Sequence, residues 1–221
     1  MSSDALTALR KRVTRRVEAA LLASADLGFL GAMPIPDQID HALGFVHSAE
    51  TLLLRPPDSV VDLGTGGGIP GLVLLDCWPS SRIVLLDSSE RRTEFLRERT
   101  TVWDRPGLVE VVRGRAEEIG REDRWREQFE LVTARSFGAP AVTAECAAPL
   151  LAVNGVLVVS EPPGGDGEIR WPDAGIGVVG LSTSSTVRFD DRFGYRVLLK
   201  SEPTDERYPR RVGIPSKRPL F

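Results

Sequence analysis

Histidine and cysteine are both scarce in this chain, and their scarcity limits the chemistry that it can carry. Its 221 residues include two histidines, His41 and His47, and two cysteines, Cys77 and Cys146. Neither histidine belongs to a cluster with the spacing of metal ligands, so a catalytic metal site finds no support. The two distant cysteines do not form a disulfide framework. Both fall in predicted helices, where buried and unreactive thiols are the better interpretation.

Long apolar runs are also missing, and no stretch approaches the ~18 residues that a membrane span needs. Residues 1–4 lack the basic and then apolar layout of a signal peptide, so we expect a cytoplasmic protein without a membrane partner. A hydrophobic content of 42% and a charged content of 27% are ordinary for a soluble domain. A net charge of −3 does not by itself indicate a nucleic-acid partner, which would have to bind where basic residues cluster.

The most informative stretch is a glycine-rich loop that follows an apolar run. Residues 60–63 have the pattern of a buried parallel strand, and residues 64–71 contain five glycines. Glycine lets the backbone approach a ligand because no Cβ stands in the way, and Pro70 suits the first position of a helix. The stretch therefore predicts a strand, a cofactor cradle and the start of a helix.

Two classes of cofactor-binding protein use such a loop. Gly66, Gly68 and Gly71 have the G-x-G-x-x-G spacing of dinucleotide-binding proteins. Asp62, two residues before the first glycine, instead resembles the D-x-G-x-G arrangement of class I S-adenosylmethionine-dependent methyltransferases. Asp87 ends the next apolar run, 21 residues after Gly66, near the spacing at which a carboxylate accepts hydrogen bonds from ribose hydroxyls. Both classes need that acid, so these residues alone leave both open.

Strand-like and helix-like segments alternate from residue 59 onward. Strands are predicted over residues 59–63, 82–86, 108–112, 129–133, 155–160 and 195–200, with a further strand over 175–181. Helices are predicted over residues 70–77, 89–100, 115–127 and 140–151. Connections of this length suit right-handed crossovers, so we predict a mostly parallel, doubly wound α/β sheet. Ligands of such sheets bind outside the carboxyl ends of the strands, so one rim should collect residues 64–68, Asp87, Ala116, Glu117, Arg135 and Ser136.

The two ends of the chain differ from this core, and we expect three units: a helical extension (residues 1–57), the core (58–202) and a basic tail (203–221). Periodic apolar residues predict helices over 5–24 and 37–54. The first helix carries five basic residues between positions 10 and 16, which form either a phosphate-binding face or a solvated helix surface. Residues 161–171 have the composition of a long loop, and the proline-rich tail is not expected to form a regular element.

Five motifs occur in a fixed order: residues 62–71, residues 86–96, residues 115–118, residues 132–135 and the tail from 208 to 220. Together they resemble one family, the GidB/RsmG-type bacterial methyltransferases, which methylate N7 of a guanine in 16S ribosomal RNA. The first motif alone is shared by many methyltransferases, whereas all five in this order are specific. The resemblance covers the chain from about His41 to its C-terminus.

The resemblance implies a class I methyltransferase fold with a Rossmann-like sheet and an N-terminal helical cap. It also implies S-adenosylmethionine as cofactor, and small-subunit ribosomal RNA or the 30S particle as partner of a monomeric enzyme. It assigns cofactor binding to Asp62, Gly64, Gly66, Gly68, Ile69, Asp87, Ala116, Glu117 and Arg135. Arg135 is the candidate catalytic residue. The candidate contacts to RNA phosphates are Arg210, Arg211, Lys217 and Arg218.

Two positions depart from the family pattern. Gly44-Phe45 stands where the family usually has Asp-Ser, and Ser160-Glu161 stands where it usually has a lysine after the fifth strand. A carboxylate in place of a cation near the RNA-facing rim weakens the attraction for RNA phosphates. The alternatives are therefore a diverged methyltransferase that acts on another RNA or a small molecule, and a noncatalytic paralogue that binds the cofactor.

Overall fold

The computed structural model describes residues 3–162, 167–189 and 192–221 of the protein. The strands within these residues form one sheet, and their bounds are β1 (Ser59–Leu63), β2 (Arg82–Asp87), β3 (Val109–Arg113), β4 (Phe129–Ala134), β5 (Leu151–Glu161), β6 (Leu181–Phe189) and β7 (Phe193–Lys200). Their order is β3-β2-β1-β4-β5-β7-β6. The first five strands pair in parallel, while β7 runs antiparallel to both β5 and β6. The sheet is mostly parallel, which confirms the predicted fold class.

Helices cover both faces of this sheet. In the described parts of the chain they are α1 (Ser3–Arg10), α2 (Arg15–Asp26), α3 (Ile35–Leu53), α4 (Gly71–Cys77), α5 (Glu90–Thr100), α6 (Ala116–Ile119), α7 (Pro140–Ala147), α8 (Gly167–Arg170), α9 (Asp173–Gly177) and α10 (Ile214–Lys217). Val60 of β1 belongs to the hydrophobic cluster that contains Leu21 and Phe45 on one face, and Val61 belongs to the cluster that contains Ala144 on the other. Successive side chains of a strand point to opposite faces, so a strand buried on both sides needs a continuous apolar run.

The N-terminal helix predicted over residues 5–24 is wrong in one respect, because it is broken between Arg10 and Arg15. Thr14 is extended there, with φ −98° and ψ 165°. Its backbone N and its Oγ1 donate to the Asp76 carboxylate at 2.7 and 2.6 Å. Asp76 is only 9% exposed, and a carboxylate with so little water around it needs hydrogen-bond donors from the protein. This long-range contact overrides the local helical pattern.

The helix predicted over residues 115–127 is also too long. The helix α6 ends at Ile119, before Gly120, a residue that disfavours helix interiors. The segment that follows wraps around Arg126 instead. The guanidinium of this arginine donates to the carbonyl oxygens of Gly120 and Tyr208 at 3.0 and 2.9 Å, and so ties the tail to the core.

Two further predictions around β5 are corrected. The helix predicted over residues 140–151 ends at Ala147, and the 3-10 turn that follows contains Pro149, which has no backbone N–H to continue an α-helix. The strand predicted over 175–181 is the helical turn α9, because Ile176 and Val179, three residues apart, are both fully buried. Residues 163–166 of the loop predicted over 161–171 lie outside the described residues, and α8 follows them.

The tail packs back onto the domain. Tyr208 is buried, and Ile214–Lys217 form the single helical turn α10 where no regular element was expected. The N-terminal helices likewise share a hydrophobic core with β1. Both end segments thus pack on the central domain. The division into three units at residues 57 and 202 stays a prediction.

Candidate active site

The glycine loop after β1 is tied to the end of β2. The backbone N–H groups of Gly64 and Thr65 both donate to the Leu86 carbonyl, at 2.9 and 3.0 Å. The N–H of Gly66 donates to Asp87 Oδ2 at 2.9 Å. Gly64 and Gly66 have φ values of 69° and 58°, in the left-handed region that favours glycine. The loop is therefore fixed at one side by the neighbouring strand and presents glycine backbone at the other.

Asp62 lies beneath this loop. It is 1% exposed, and its Oδ2 accepts from the backbone N–H of Gly71 while its Oδ1 accepts from Thr133 Oγ1, both at 2.9 Å. Burial raises the pKa of the Asp62 carboxyl to about 6, although the hydrogen bonds oppose this shift. Asp62 joins the start of α4 to β4 and so positions the loop from below. Its predicted contact with the methionine end of a cofactor stays a prediction.

Four of the predicted cofactor residues border one cleft of about 280 Å³, which we call the Asp87 cleft. Its lining includes Gly64, Asp87, Ala116 and Glu117, together with Phe137. The carboxylate of Asp87 also accepts from Ser89 N at 2.8 Å through Oδ1. The residues come from the ends of β1, β2, β3 and β4, which confirms that these strand ends meet at one rim.

A second cleft, of about 360 Å³, lies on the other side of the glycine loop, and we call it the Arg135 cleft. Gly64, Gly66, Ile69 and Arg135 line it. The Arg135 guanidinium donates to Gln38 Oε1 at 3.1 Å, and burial lowers the pKa of Arg135 from its ordinary value. Among the predicted cofactor residues, Asp62 and Gly68 border neither cleft.

The two clefts meet at the residues just after β4, where the sequence predicted Ser136 at the rim but did not single out Phe137. Ser136 lines both of them, and its φ of 54° is an uncommon value for a residue other than glycine. Phe137 lies over Gly64, where an added Cβ would come within 2.6 Å of the phenyl ring. The available signal for both residues was their position directly after β4, since ligands of parallel sheets bind at strand ends. The positive φ of Ser136 could not be predicted from its residue type.

A third cleft, of about 280 Å³, begins at Ser136 and Phe137, and we call it the Glu161 cleft. His41, Glu161 and Trp171 also line it. The sequence assigned His41 to no metal site and gave it no role at a cleft. The third cleft therefore adjoins the first two through Ser136.

The packing of α3 against Tyr195 explains one departure from the family pattern, the glycine at position 44. Tyr195 donates its hydroxyl hydrogen to the His41 carbonyl at 2.7 Å. A Cβ at Gly44 would lie 2.0 Å from the Tyr195 hydroxyl, so any larger residue at position 44 would collide with this tyrosine. Gly44 and Tyr195 therefore fit each other in this chain.

The tail reaches the rim of the Asp87 cleft. Arg210 donates from its backbone N and its Nε to Glu145 Oε1, both at 2.8 Å, and from Nη2 to Oε2 at 2.6 Å. The backbone N–H of Gly213 donates to Glu117 Oε1 at 3.0 Å, and Ser216 lines the cleft. The neighbouring basic residues are exposed; they are Arg211, Lys217 and Arg218. Of the four predicted RNA contacts, Arg210 thus has a carboxylate partner inside the protein.

The basic residues of the N-terminal helices have acidic partners as well. Arg10 pairs with Asp40 at 2.5 Å, Arg12 with Glu50 at 2.9 Å, and Arg16 with Asp76 at 2.7 Å. These three arginines form neither a phosphate-binding face nor a solvated helix surface. They connect α1, α2 and the turn between them to α3 and α4. The other two basic residues, Lys11 and Arg15, are exposed.

No group of three or more histidine, cysteine or acidic residues is arranged to hold a metal ion in the described ranges. Cys77 and Cys146 are buried and unpaired as disulfides, as expected, and burial raises the pKa of the Cys77 thiol to about 12. None of the described helices is long and apolar enough to cross a membrane.

The glycine loop and its surroundings fit S-adenosylmethionine. A Cβ at Gly66 would meet no heavy atom closer than Gly64 O at 3.8 Å, so the loop is open towards the Arg135 cleft. The Asp87 carboxylate borders the adjoining cleft, and each of its oxygens has a second lone pair for a ribose hydroxyl. The guanidinium of Arg135, which lines the Arg135 cleft, has the charge that the amino-acid carboxylate of this cofactor would need.

Comparisons with known proteins agree with this geometry. Residues 40–169 match the GidB family, described as rRNA small subunit methyltransferase G. The protein named ribosomal RNA small subunit methyltransferase G from Moorella thermoacetica is 35% identical over 79% of this chain and 77% of its own length. The protein of the same name from Pelotomaculum thermopropionicum is 35% identical over 82% of this chain and 78% of its own length.

A solved structure supports the fold independently. The O-methyltransferase TomG from Streptomyces achromogenes, in complex with SAM, has a TM-score of 0.61 and 18% sequence identity, over 86% of this chain and 91% of its own. The fold is therefore that of class I S-adenosylmethionine-dependent methyltransferases. Since the family match covers more than half of the chain and the relatives exceed 30% identity, this protein belongs to the GidB family of small-subunit ribosomal RNA methyltransferases.

Proposed function

We propose that this protein transfers a methyl group from S-adenosylmethionine to N7 of a guanine in small-subunit ribosomal RNA. The dependence on S-adenosylmethionine and the methyltransferase activity follow from the family. The observation that supports an RNA substrate is the position of the tail. Ser216, in the anchored turn of the tail, lines the Asp87 cleft and is followed by the exposed cation of Lys217. An RNA strand held by the tail would thus lie beside the cofactor.

The cofactor would be held across the Asp87 and Arg135 clefts. Asp87 would accept hydrogen bonds from the ribose, Ala116 and Glu117 would contact the adenine end, and Arg135 would face the methionine end. Asp62 would act through the loop that it holds from below, by its hydrogen bond to Gly71. When bound, S-adenosylmethionine supplies a sulfonium methyl group as electrophile.

The residues of this chain would contribute position and electrostatics. The N7 lone pair of guanine is the nucleophile, so no side chain has to remove a proton before attack. A reaction without a general base suits this site. Burial lowers the pKa of His41 to about 3, so this histidine is neutral, and the described clefts contain no activated thiol. Arg135 would orient the reactants rather than exchange a proton with them.

The RNA would be held by the exposed cations of the tail. Arg211, Lys217 and Arg218 can neutralise phosphates, whereas Arg210 and Glu145 hold the tail in place. A base inside a folded RNA has to be unstacked before its N7 reaches the cofactor. Cytoplasmic location and a monomeric state remain predictions.

Mass mapping of ribosomal RNA tests the proposal. Small-subunit RNA from cells with and without the gene would be digested with nuclease, and its guanosine-containing fragments compared for the mass of one methyl group. We expect one N7-methylguanine to disappear in the deletion strain and to return with the wild-type gene. A matched control is the Arg135→Ala variant, which keeps the glycine loop and the tail but should not restore the mark.

The remaining function classes give different results in the same experiment. A small-molecule methyltransferase or a noncatalytic paralogue would leave every N7-methylguanine in place in the deletion strain. Purified protein would then transfer no methyl group from S-adenosylmethionine to small-subunit RNA or to 30S particles. That pair of results would contradict the proposed substrate. Loss of a methyl mark on another RNA would instead identify that RNA as the substrate.

A further inference from the structure

The Glu161 cleft contains polar atoms that have no hydrogen-bond partner among the residues that the structure describes. Glu161 is 9% exposed, and its Oε1 accepts from Trp171 Nε1 at 2.8 Å. Its Oε2 lies 3.2 Å from Arg170 Nε, which balances the charge. The geometry of that pair is not that of a hydrogen bond, so within the described residues Oε2 accepts none. Buried carboxylate oxygens are normally hydrogen-bonded, and a free one that borders a cleft indicates a missing donor.

His41 borders the same cleft and has the same property. It is 9% exposed, and neither of its ring nitrogens has a hydrogen-bond partner among the described residues. Its ring stacks on Phe193 with centroids 4.5 Å apart and planes within 5° of each other, so the imidazole is held in a fixed orientation. Burial and the nearby charge of Arg135 lower the pKa of His41 to about 3. The neutral ring therefore offers one donor and one acceptor.

The walls of the cleft are suited to a flat ring. Phe137 is half-buried at its mouth, and Trp171 is buried beside Glu161. Unstacked RNA bases bind on aromatic side chains and are recognised through their polar edges. The cleft adjoins the Arg135 cleft at Ser136, so a base held here would have one edge directed towards the cofactor.

We propose that the Glu161 cleft binds the target guanine and that Glu161 reads its Watson–Crick edge, accepting hydrogen bonds from N1–H and the N2 amino group. This inference rests on the proposed function and names the substrate contact within it. Guanine is the RNA base with two adjacent donors on that edge, and a carboxylate only accepts. Its N7 is an acceptor on the Hoogsteen edge and would face away from Glu161, while O6 lies where the two edges meet.

This assignment gives Glu161 Oε2 and the His41 ring a hydrogen-bond partner. Glu161 Oε2 gains donors from the base, while Trp171 and Arg170 keep the carboxylate in place. His41 can donate a hydrogen bond to O6, because O6 lies between the edge read by Glu161 and N7. The carboxylate at a position where the family usually has a lysine then serves the base rather than the phosphates.

Binding of two nucleotides tests the inference directly. Guanosine monophosphate and inosine monophosphate differ by the N2 amino group and share N7, O6 and N1–H. They would be titrated into the full-length protein saturated with S-adenosylhomocysteine, and binding measured by saturation-transfer NMR. We expect wild-type protein to bind guanosine monophosphate about 10-fold more tightly, the loss expected for one hydrogen bond to a charged acceptor.

Two variants assign this preference to Glu161. Glu161→Gln should reduce the ratio of the two affinities to near one. The amide oxygen is expected to keep the hydrogen bond from Trp171, so that the amide nitrogen, which cannot accept, takes the place of Oε2. Glu202→Gln removes the same charge from an exposed position and should keep the wild-type ratio. Thermal unfolding and S-adenosylhomocysteine affinity would be measured for both variants. Equal affinities in wild-type protein, no saturable binding of guanosine monophosphate, or an unchanged ratio in a folded Glu161→Gln variant would each overturn the inference.

The outcomes separate this inference from the proposed function. Methyl transfer to small-subunit RNA by wild-type protein, without a preference for guanosine monophosphate, would refute the role of Glu161 alone. A preference that depends on Glu161, in a protein that methylates no ribosomal RNA, would support the guanine site and refute the ribosomal substrate.

Discussion

The attachment of the tail through Arg210 allows the sharpest test of the structure. Glu145 is fully buried, and its side chain pairs with Arg210, which is 26% exposed. Arg210→Ala would remove both guanidinium hydrogen bonds to Glu145 and a third to the Arg218 carbonyl, and would leave only the backbone N–H of residue 210 on the carboxylate. Breaking a buried ion pair on one side costs about 3–5 kcal/mol. We expect the lower end, about 3 kcal/mol, because the arginine is partly exposed and one donor remains.

Thermal unfolding monitored by circular dichroism would measure this loss. For a protein of this length, 1 kcal/mol corresponds to about 2–4 °C in Tm, so Arg210→Ala should lower Tm by about 6–12 °C. Arg211→Ala is the matched control, since Arg211 is exposed and its replacement should change the free energy of unfolding by less than about 0.5 kcal/mol. The paired replacement Glu145→Leu with Arg210→Met should recover much of the loss, because no buried charge remains.

The reasoning would be refuted by a loss of less than about 1 kcal/mol for Arg210→Ala, indistinguishable from that of Arg211→Ala. The pair would then contribute no more than a surface ion pair, and Arg210 would be available to RNA like its neighbours. A large loss that the paired replacement does not recover would assign the effect to packing of the arginine stem instead.

Three other predictions concern the cofactor loop, its buried acid and the tail. Gly66→Val should abolish S-adenosylhomocysteine binding in calorimetry without unfolding the protein, because Gly66 has φ 58° and borders the Arg135 cleft. If the wild-type protein bound NAD and no S-adenosylhomocysteine, the assignment of S-adenosylmethionine as cofactor would be contradicted. Burial raises the pKa of Asp62 from 3.8 to about 6, so the folded protein holds a proton that the unfolded chain releases, and stability is lost as pH rises from about 4 to 6. Asp62→Asn should remove this loss of about 3 kcal/mol, and equal pH profiles from chemical denaturation of the two proteins would refute the shift. Replacing Arg211, Lys217 and Arg218 together by alanine should weaken binding to small-subunit RNA and reduce its salt dependence by about three phosphate contacts. An unchanged slope of affinity against salt concentration would leave the tail with a structural role alone.

Local sequence features were enough to place the sheet and its rim. The strand of residues 59–63, the glycine loop and Asp87 follow from apolar runs, from glycine at positions of positive φ and from the spacing of an acid. Each of these signals lies within a short segment, and strand ends of a parallel sheet meet at one edge whatever the rest of the chain does. The six strands of the predicted crossover pattern were therefore found, within a few residues of their expected bounds.

The partners of charged and polar side chains depended on the tertiary structure. Arg16 and Thr14 meet Asp76, some 60 residues away, and break a helix that the local pattern made continuous. Arg210 meets Glu145, 65 residues away, and becomes an anchor for the tail. Residue type shows that a charge needs a partner, but not which distant residue supplies it, because that is decided by how the elements pack.

The Glu161 cleft shows the same division. The sequence showed that a carboxylate replaces a cation after the fifth strand, and by itself this weakened the case for an RNA substrate. Only the packing of β5, α3 and the segment containing Trp171 brought Glu161 and His41 to one cleft. Among the described residues, this packing leaves Glu161 Oε2 and the His41 ring nitrogens without a hydrogen-bond partner. The sequence thus determined the family, the sheet and the cofactor loop through local patterns. The tertiary structure decided which side chains face the substrate, because burial and hydrogen bonding depend on residues far apart in the chain.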